Sequence, residues 1–529
     1  MLRLVCLALT VFSAKPKTSA GRGCGVAALG RGHLASDSGN RQDFVRESSR
    51  IGFNLGALVL SRLVSLALSL VQSSIIFRAL GLEGTGRFGY ALLFTSMFTV
   101  FATLGIQRLL VRDIARDRNI AWTYVWTATV VVSGLSVLVL AVIAGSTALL
   151  EDSAQVRNAV LAAALWVVVL WALQQPFESL LIACERMGLV AVANVAVAAL
   201  KLASVYVAVR HTQTAAVAHG AIAFANLAGL LLTLIFAVAV GGWERPHLRF
   251  GLAWQQVREC FPFAVAMLFS LVYFKLDMSL LKFLQGEAAS GIYTPAQRVM
   301  EPLLMVAALW GTAVFPALCR FSHTDPEHYA NLKATSIRLA LMAAFPMAIG
   351  IALLAEPIIL LLTGDLAAFG QSVLVLRILA GVVPLFYLNS IGQEFFYSLH
   401  RNWYVVACYA AAGAVSVVGN LVFIPCFSVP GLAGVAVAAN LAVTALFVLG
   451  MRSQFGEVRI THLLPRTLLA CVAMGAVALA MSRISLIAGV VAGALVYALL
   501  QWVLGALNAL ERDMIGHMLQ AVLRRVPLG

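Results

Sequence analysis

Long apolar runs alternate with short polar breaks from about residue 53 to residue 507. A helix that rises 1.5 Å per residue needs about 20 apolar residues to cross the hydrocarbon core of a bilayer. Fourteen runs meet that length, near 53–77, 88–107, 122–149, 159–183, 188–209, 215–240, 261–284, 292–318, 335–362, 372–399, 403–424, 431–450, 465–482 and 485–507. The pattern therefore predicts an all-α integral membrane protein of about 14 transmembrane helices.

The clearest break lies at 241–258, where Trp243-Glu-Arg-Pro and Trp254-Gln-Gln-Val-Arg read as an amphipathic linker at the membrane surface. It separates two sets of six spans. Arg78-x-Leu80-x-x-Glu83-x-x-Gly86-x-Phe88 recurs after it, with one residue inserted, as Lys282-x-Leu284-x-x-Glu287-x-x-x-Gly291-x-Tyr293. Six is an even number, so the two sets enter the membrane in the same orientation, as parallel repeats with a cleft between them. The expected organisation is an N-terminal tail (1–50), an N-lobe of helices 1–6 (51–240), a linker (241–260), a C-lobe of helices 7–12 (261–450), two further helices (451–507) and a tail (508–529). Residues 1–50 contain no clear span and read as a disordered extension or a start assigned too far upstream. Glu511 to Arg525 reads as an amphipathic helix at the inner surface.

Composition agrees with the pattern: 61% of the residues are hydrophobic, 11% are charged, and the mean hydropathy is +0.93. The net charge of +14 does not indicate nucleic acid, because the basic residues are spread by loop and are not gathered into a patch. Placing both termini in the cytoplasm puts most of the 37 Lys and Arg on that side, including Arg108, Arg112, Arg116, Arg245, Arg249, Arg320 and Arg459. The eight cysteines show no paired spacing, so neither a disulfide framework nor a metal site is expected. No GxxxxGK[ST] motif is present, and direct use of ATP, or any other cofactor, is not expected.

Against this apolar background the embedded charges stand out. An Arg near the bilayer centre costs about 2.5 to 3.5 kcal/mol even on the lenient insertion scale, so it faces protein or a wet cavity. Arg298 and Glu301 are three apart and share a helix face, in a run where Pro295, Pro302 and Pro316 are expected to break or bend the helix. Arg62, Lys201 and Lys275 are further embedded cations. Glu178, Asp277 and Glu394 are the other embedded carboxylates. Arg62, Lys201, Lys275, Asp277, Arg298 and Glu301 are candidates to line the cleft, and Asp277, Glu394 and Glu178 are candidates for ion coupling. Salt bridges between helices are the competing reading of the same set. Arg78, at the end of its span, reads as interfacial. No residue is read as catalytic.

Ser61-Arg62, Arg78-Ala-Leu-Gly, Gly291-Ile-Tyr-Thr-Pro-Ala-Gln-Arg298 and Thr312-Ala-Val-Phe-Pro316 occur in this order. Over about residues 50–450 the chain resembles the polysaccharide (O-antigen, Wzx-type) flippases of the multidrug/oligosaccharidyl-lipid/polysaccharide exporter superfamily. The resemblance implies two six-helix lobes in a V, alternating access, and transfer of an undecaprenyl-diphosphate-linked oligosaccharide from the inner to the outer leaflet of a bacterial inner membrane. Its implied partners are that anionic lipid-linked oligosaccharide, membrane lipids, and the polymerase and chain-length proteins of cell-surface polysaccharide export. Arg298 matches an Arg of the lipid II flippases, whereas Leu68-Ser69 stands where their first helix carries an Arg-Asp pair, which argues against lipid II. A cation-coupled drug antiporter of the same fold is the main alternative. A membrane glycan polymerase or ligase is a third, disfavoured by the short outer loops.

Overall fold

The computed structural model describes residues 34–242, 250–322, 325–455 and 464–504. Sixteen α-helices account for nearly all of them. They are α1 (Leu34–Met97), α2 (Thr99–Thr103), α3 (Ile106–Arg116), α4 (Ala121–Leu150), α5 (Ala154–Ala164), α6 (Trp171–Ala183), α7 (Met187–His211), α8 (Ala215–Gly241), α9 (Phe250–Phe321), α10 (Pro326–Leu353), α11 (Ala355–Thr363), α12 (Leu366–Ala380), α13 (Val382–Ser398), α14 (Asn402–Phe455), α15 (Leu464–Ser482) and α16 (Leu486–Val503). Among the described residues there is no strand. Residues 1–33 of the tail, 243–249 of the linker and the tail after 504 lie outside the described residues, while residues 34–50 begin α1.

Among the described residues eleven helical stretches are long and apolar enough to cross a membrane, and three of these reverse direction within the stretch. The reversals are Gly81 (φ 67°, ψ −168°), Gly286 (φ 86°, ψ −171°) and Ser428 (φ 52°, ψ −132°). Backbone angles of the first two kinds are open essentially to glycine alone, because a Cβ would clash with the chain. Residues flanking each reversal meet across it. Ser73 and Phe77 share a cavity wall with Phe88 and Leu92, the Tyr293 hydroxyl reaches Asp277 at 3.3 Å, and Gly419 packs on Val435. Each reversal is thus a helical hairpin, and the described residues make fourteen passes.

The two reversing glycines are 205 residues apart and hold nearly the same backbone angles, which fixes the register of the repeats. Gly86 and Gly291 keep the same spacing. A Cβ on Gly86 would strike the carbonyl oxygen of Glu287, and a Cβ on Gly291 would strike that of Leu82. Leu82, not Glu83, is therefore the counterpart of Glu287, and the inserted residue read from the sequence echo is not needed. The fold is two parallel six-helix repeats followed by the pair α15 and α16.

Buried apolar side chains form two clusters. One runs from Ile76 to Ala237 and takes in Cys260 and Leu362; the other runs from Met278 to Met451. Leu362 crosses over because α11 leans on the first pass: Ser74 Oγ and Arg78 Nη2 both donate to the Leu361 carbonyl, at 3.1 and 2.5 Å. That carbonyl belongs to the last turn of α11, where no N–H remains to satisfy it and a cation is favoured. Arg78 is exposed, as expected of an interfacial residue, and also caps a helix.

Pro295, Pro302 and Pro316 do not break α9. Only Gly286 leaves helical geometry within it. Each proline removes one N–H, but the surrounding passes hold the helix in place, as is common at membrane depth. Pro176 lies within α6 in the same way. The fourth pass is instead altered just before it, by a π-helical turn at Leu165–Leu170.

Candidate functional site

Arg298 sits on the seam between the halves. Its Nε donates to Ser73 Oγ of the first pass at 2.9 Å, and its Nη1 pairs with Glu301 on its own helix at 2.5 Å. The side chains of Arg298 and Glu301 keep 23% and 41% of their exposure, so the pair borders open space. Phe77, Phe88, Gly89, Leu92 and Leu93 from one half and Thr294 and Gln297 from the other line the same cavity. Gly89 makes the approach close enough: a Cβ there would strike the Thr294 hydroxyl.

Two more cations belong to the same electrostatic group. Lys201, half-buried on α7, is within electrostatic reach of both Arg298 and Arg62, and Arg62 is within reach of Glu178. Arg62 is exposed; Glu178 is buried. Arg62 and Ser73 are eleven residues apart on one helix, about 16 Å along its axis, so Arg62 lies three turns away from the residue that Arg298 meets. Among the described residues Lys201 forms no salt bridge; its Nζ lies 5.4 Å from the centre of the Trp166 ring. Three cations against two carboxylates, Glu301 on Arg298 and Glu178 within reach of Arg62, leave a net positive charge suited to an anion that carries several oxygens, which the planar Arg fork binds in bidentate fashion.

The remaining candidates lie elsewhere. The Lys275 side chain falls outside the described residues. Asp277 faces a separate cavity of about 110 Å³ inside the C-terminal half, with Tyr293, Gln297, Ser416, Asn420 and Asn440 on its walls. Its carboxylate accepts from the Met278 N–H at 2.7 Å and from the Tyr293 hydroxyl. Next to this cavity Asn389 donates to Asn440, and Thr444 donates to Asn389 at 2.8 Å. Gln297 lines both this cavity and that of Arg298. Glu394 is near the far ends of the tenth pass and α3, within electrostatic reach of Arg108. Residue spacing alone could not separate these places, since embedded carboxylates look alike in a sequence.

Three features escaped the sequence. The first is a set of polar ties at the hairpin tips. Lys282 pairs with Glu151, which also accepts from Tyr90 at 3.0 Å; Arg87 pairs with Glu287 at 2.5 Å and donates to Gln155. All of these charges sit at span ends and resemble residues that simply reach water. The second is His219, fully buried on α8 between Trp166 and Phe88. A lone His in an apolar run carries little signal by itself. The third is the contact of α3 with the linker: Arg112 pairs with Asp113 at 2.7 Å and with Glu259 at 2.8 Å. Because it already holds both carboxylates, Arg112 does more than set topology.

Comparison with known proteins follows the same lines. The fold is similar to that of the lipid II flippase MurJ in an inward closed conformation (TM-score 0.67, 12% identity, 87% of this chain and 99% of that one). It is also similar to an inward-facing multidrug resistance MATE family transporter of the MOP superfamily (TM-score 0.61, 15% identity, 76% and 99%). A MOP superfamily transporter from Pyrococcus furiosus, described as having a binding pocket of reverse polarity, matches with a TM-score of 0.53 at 16% identity, over 75% and 94%. At these identities the likeness is one of fold. Among curated proteins no sequence matches. The family model for polysaccharide biosynthesis proteins matches residues 51–322, more than half of the 529. The chain belongs to the polysaccharide biosynthesis protein family.

Proposed function

We propose that this protein is a flippase that moves an undecaprenyl-diphosphate-linked oligosaccharide from the inner to the outer leaflet of a bacterial inner membrane, by alternating access between its two halves. One observation supports this reading: Lys201 is within electrostatic reach of both Arg62 and Arg298, and among the described residues its partner is an aromatic face and not a carboxylate. A diphosphate brings several negative oxygens into the membrane and needs fixed cations there; the polyprenyl tail can stay in lipid. Glu301 holds Arg298 when the site is empty. The chain is a transporter and not an enzyme in this reading, its termini are cytoplasmic, and its sugar cargo goes on to polymerase and chain-length proteins at the outer face.

Family membership supports a role in making polysaccharide, and the flippase and exporter folds support transport. Leu68-Ser69 favours a glycan carrier other than lipid II. The Asp277 cavity favours coupling to a cation gradient, so ion linkage belongs to the same proposal. Purified protein in liposomes should translocate a fluorescent polyprenyl-diphosphate sugar and leave cationic dyes in place. Transport of the dyes without the lipid would replace this reading with the drug antiporter.

A further inference from the structure

Lys201 stands at one end of a chain of contacts within the N-terminal half. Its Nζ faces the Trp166 ring at 5.4 Å. The Trp166 Nε1–H donates to Nδ1 of His219 at 3.3 Å. An imidazole nitrogen that accepts from an indole carries no proton, so the proton is on Nε2, which lies 3.2 Å from the Phe88 carbonyl oxygen and donates to it. One tautomer of neutral imidazole satisfies both partners. The His219 ring stacks on Phe88 with centroids 4.3 Å apart and planes 9° apart, which fixes the plane of the imidazole.

The origin of the shelf is local. Trp166 belongs to the π-helical turn Leu165–Leu170, where an extra residue is taken into the turn and side chains are re-aimed relative to a regular helix. The turn interrupts a pass that is otherwise α-helical and ties it to α8 through His219. An ammonium on an aromatic face keeps its charge in a poorly hydrated place while its N–H groups stay open to a ligand.

We propose that Trp166, locked by His219, is a positioning residue that holds Lys201 in place for the anionic headgroup. This rests on the diphosphate reading of the cleft. Trp166 acts through Lys201 and makes no contact with the phosphate oxygens. It follows that the effects of the two residues on affinity are not additive.

The test is equilibrium binding of farnesyl diphosphate to the purified full-length protein in nanodiscs, with thermal melting alongside. Lys201→Ala should weaken binding about tenfold and Trp166→Leu about fivefold, while Trp166→Leu added to Lys201→Ala should weaken it no further. Trp166→Phe keeps a ring without the N–H, so it should fall between the parent and Trp166→Leu, and His219→Leu should add nothing to it. The last two comparisons remain decisive if Trp166→Leu melts early. Parent-like binding by Trp166→Leu, or an equal loss whether or not Lys201 is present, would overturn the proposal. Parent-like binding by both Lys201→Ala and Arg298→Ala is a different result: it would remove the diphosphate reading itself.

Discussion

Gly86 of the first hairpin rests on the backbone of Glu287 in the second, and Gly291 of the second rests on the backbone of Leu82 in the first. The contact is pseudo-symmetric, and it brings the two hairpin tips to backbone distance. Alanine at either position would collide with a carbonyl group that belongs to a helix and cannot turn aside. Gly86→Ala and Gly291→Ala are therefore expected to hold the tips apart. Cross-linking of cysteines placed at Leu82 and Glu287 should fall several-fold in either variant; unchanged cross-linking would show that the tips have room to spare.

The Lys282–Glu151 pair reinforces the same end. Its side chains are 12% and 4% exposed, and Lys282 Nζ also lies 4.8 Å from the Tyr90 ring centre. Loss of one partner of such a buried pair costs about 3 to 5 kcal/mol, whereas loss of both together can be nearly neutral. Glu151→Gln and Lys282→Met should each lower the melting temperature and the amount of protein in the membrane. The double variant should recover most of both. A double variant as unstable as the worse single one would show that the two act separately.

Arg298 offers a different signature. Arg298→Ala should abolish translocation of the lipid-linked sugar with the protein still made and inserted, Arg298→Lys should keep a fraction, and Glu301→Gln should be milder. Lysine retains the charge but not the planar fork. If Arg298→Ala instead lowers abundance and the Arg298→Ala/Glu301→Ala double variant restores it, the pair is structural. Membrane levels and translocation measured side by side decide between these outcomes.

Asp277 and Glu394 bear on coupling. Asp277→Asn should make transport insensitive to an imposed proton or sodium gradient, because its carboxylate faces a cavity beside Gln297 whose other lining among the described residues is uncharged. Glu394→Gln should have the smaller effect, since Glu394 lies away from both cavities and near Arg108. Gradient-dependent uptake into proteoliposomes measures both. Two variants with the parent's gradient dependence would make these side chains structural.

A pH effect is expected at the membrane surface. Hydrogen bonds from Gln255 and Arg112 hold the Glu259 carboxyl below its ordinary value. A carboxyl depressed on folding adds stability that is present above its unfolded value and is lost as pH falls through the lower, folded one. The tie between α3 and the start of α9 should thus persist at neutral pH and loosen only below about pH 4.5. Hydrogen exchange at Arg112 and its neighbours should rise over that acid range, and Glu259→Gln should remove the dependence. The pair is exposed, so the effect is small and should weaken further in high salt.

The apolar runs determined the membrane class, the number of passes and the pairing of six with six, because a bilayer fixes the length of any helix that crosses it. Embedded charge was equally legible at Arg298, Arg62 and Lys201, whose burial in lipid is too costly to be accidental. Tertiary structure alone decided which of these charges meet. Lys201 and Arg298 are 97 residues apart in the chain, and nothing local brings them within electrostatic reach, whereas Asp277 lies nearer to Arg298 in sequence yet opens onto another cavity. Span-end residues were the hardest to interpret. Arg78, Arg87, Glu151 and Lys282 have the hydropathy of groups that reach water, and only the packing of the hairpins on each other and on α4 and α11 turns them into a cap and two ion pairs. Periodicity records what each segment buries, but not the segment it is buried against.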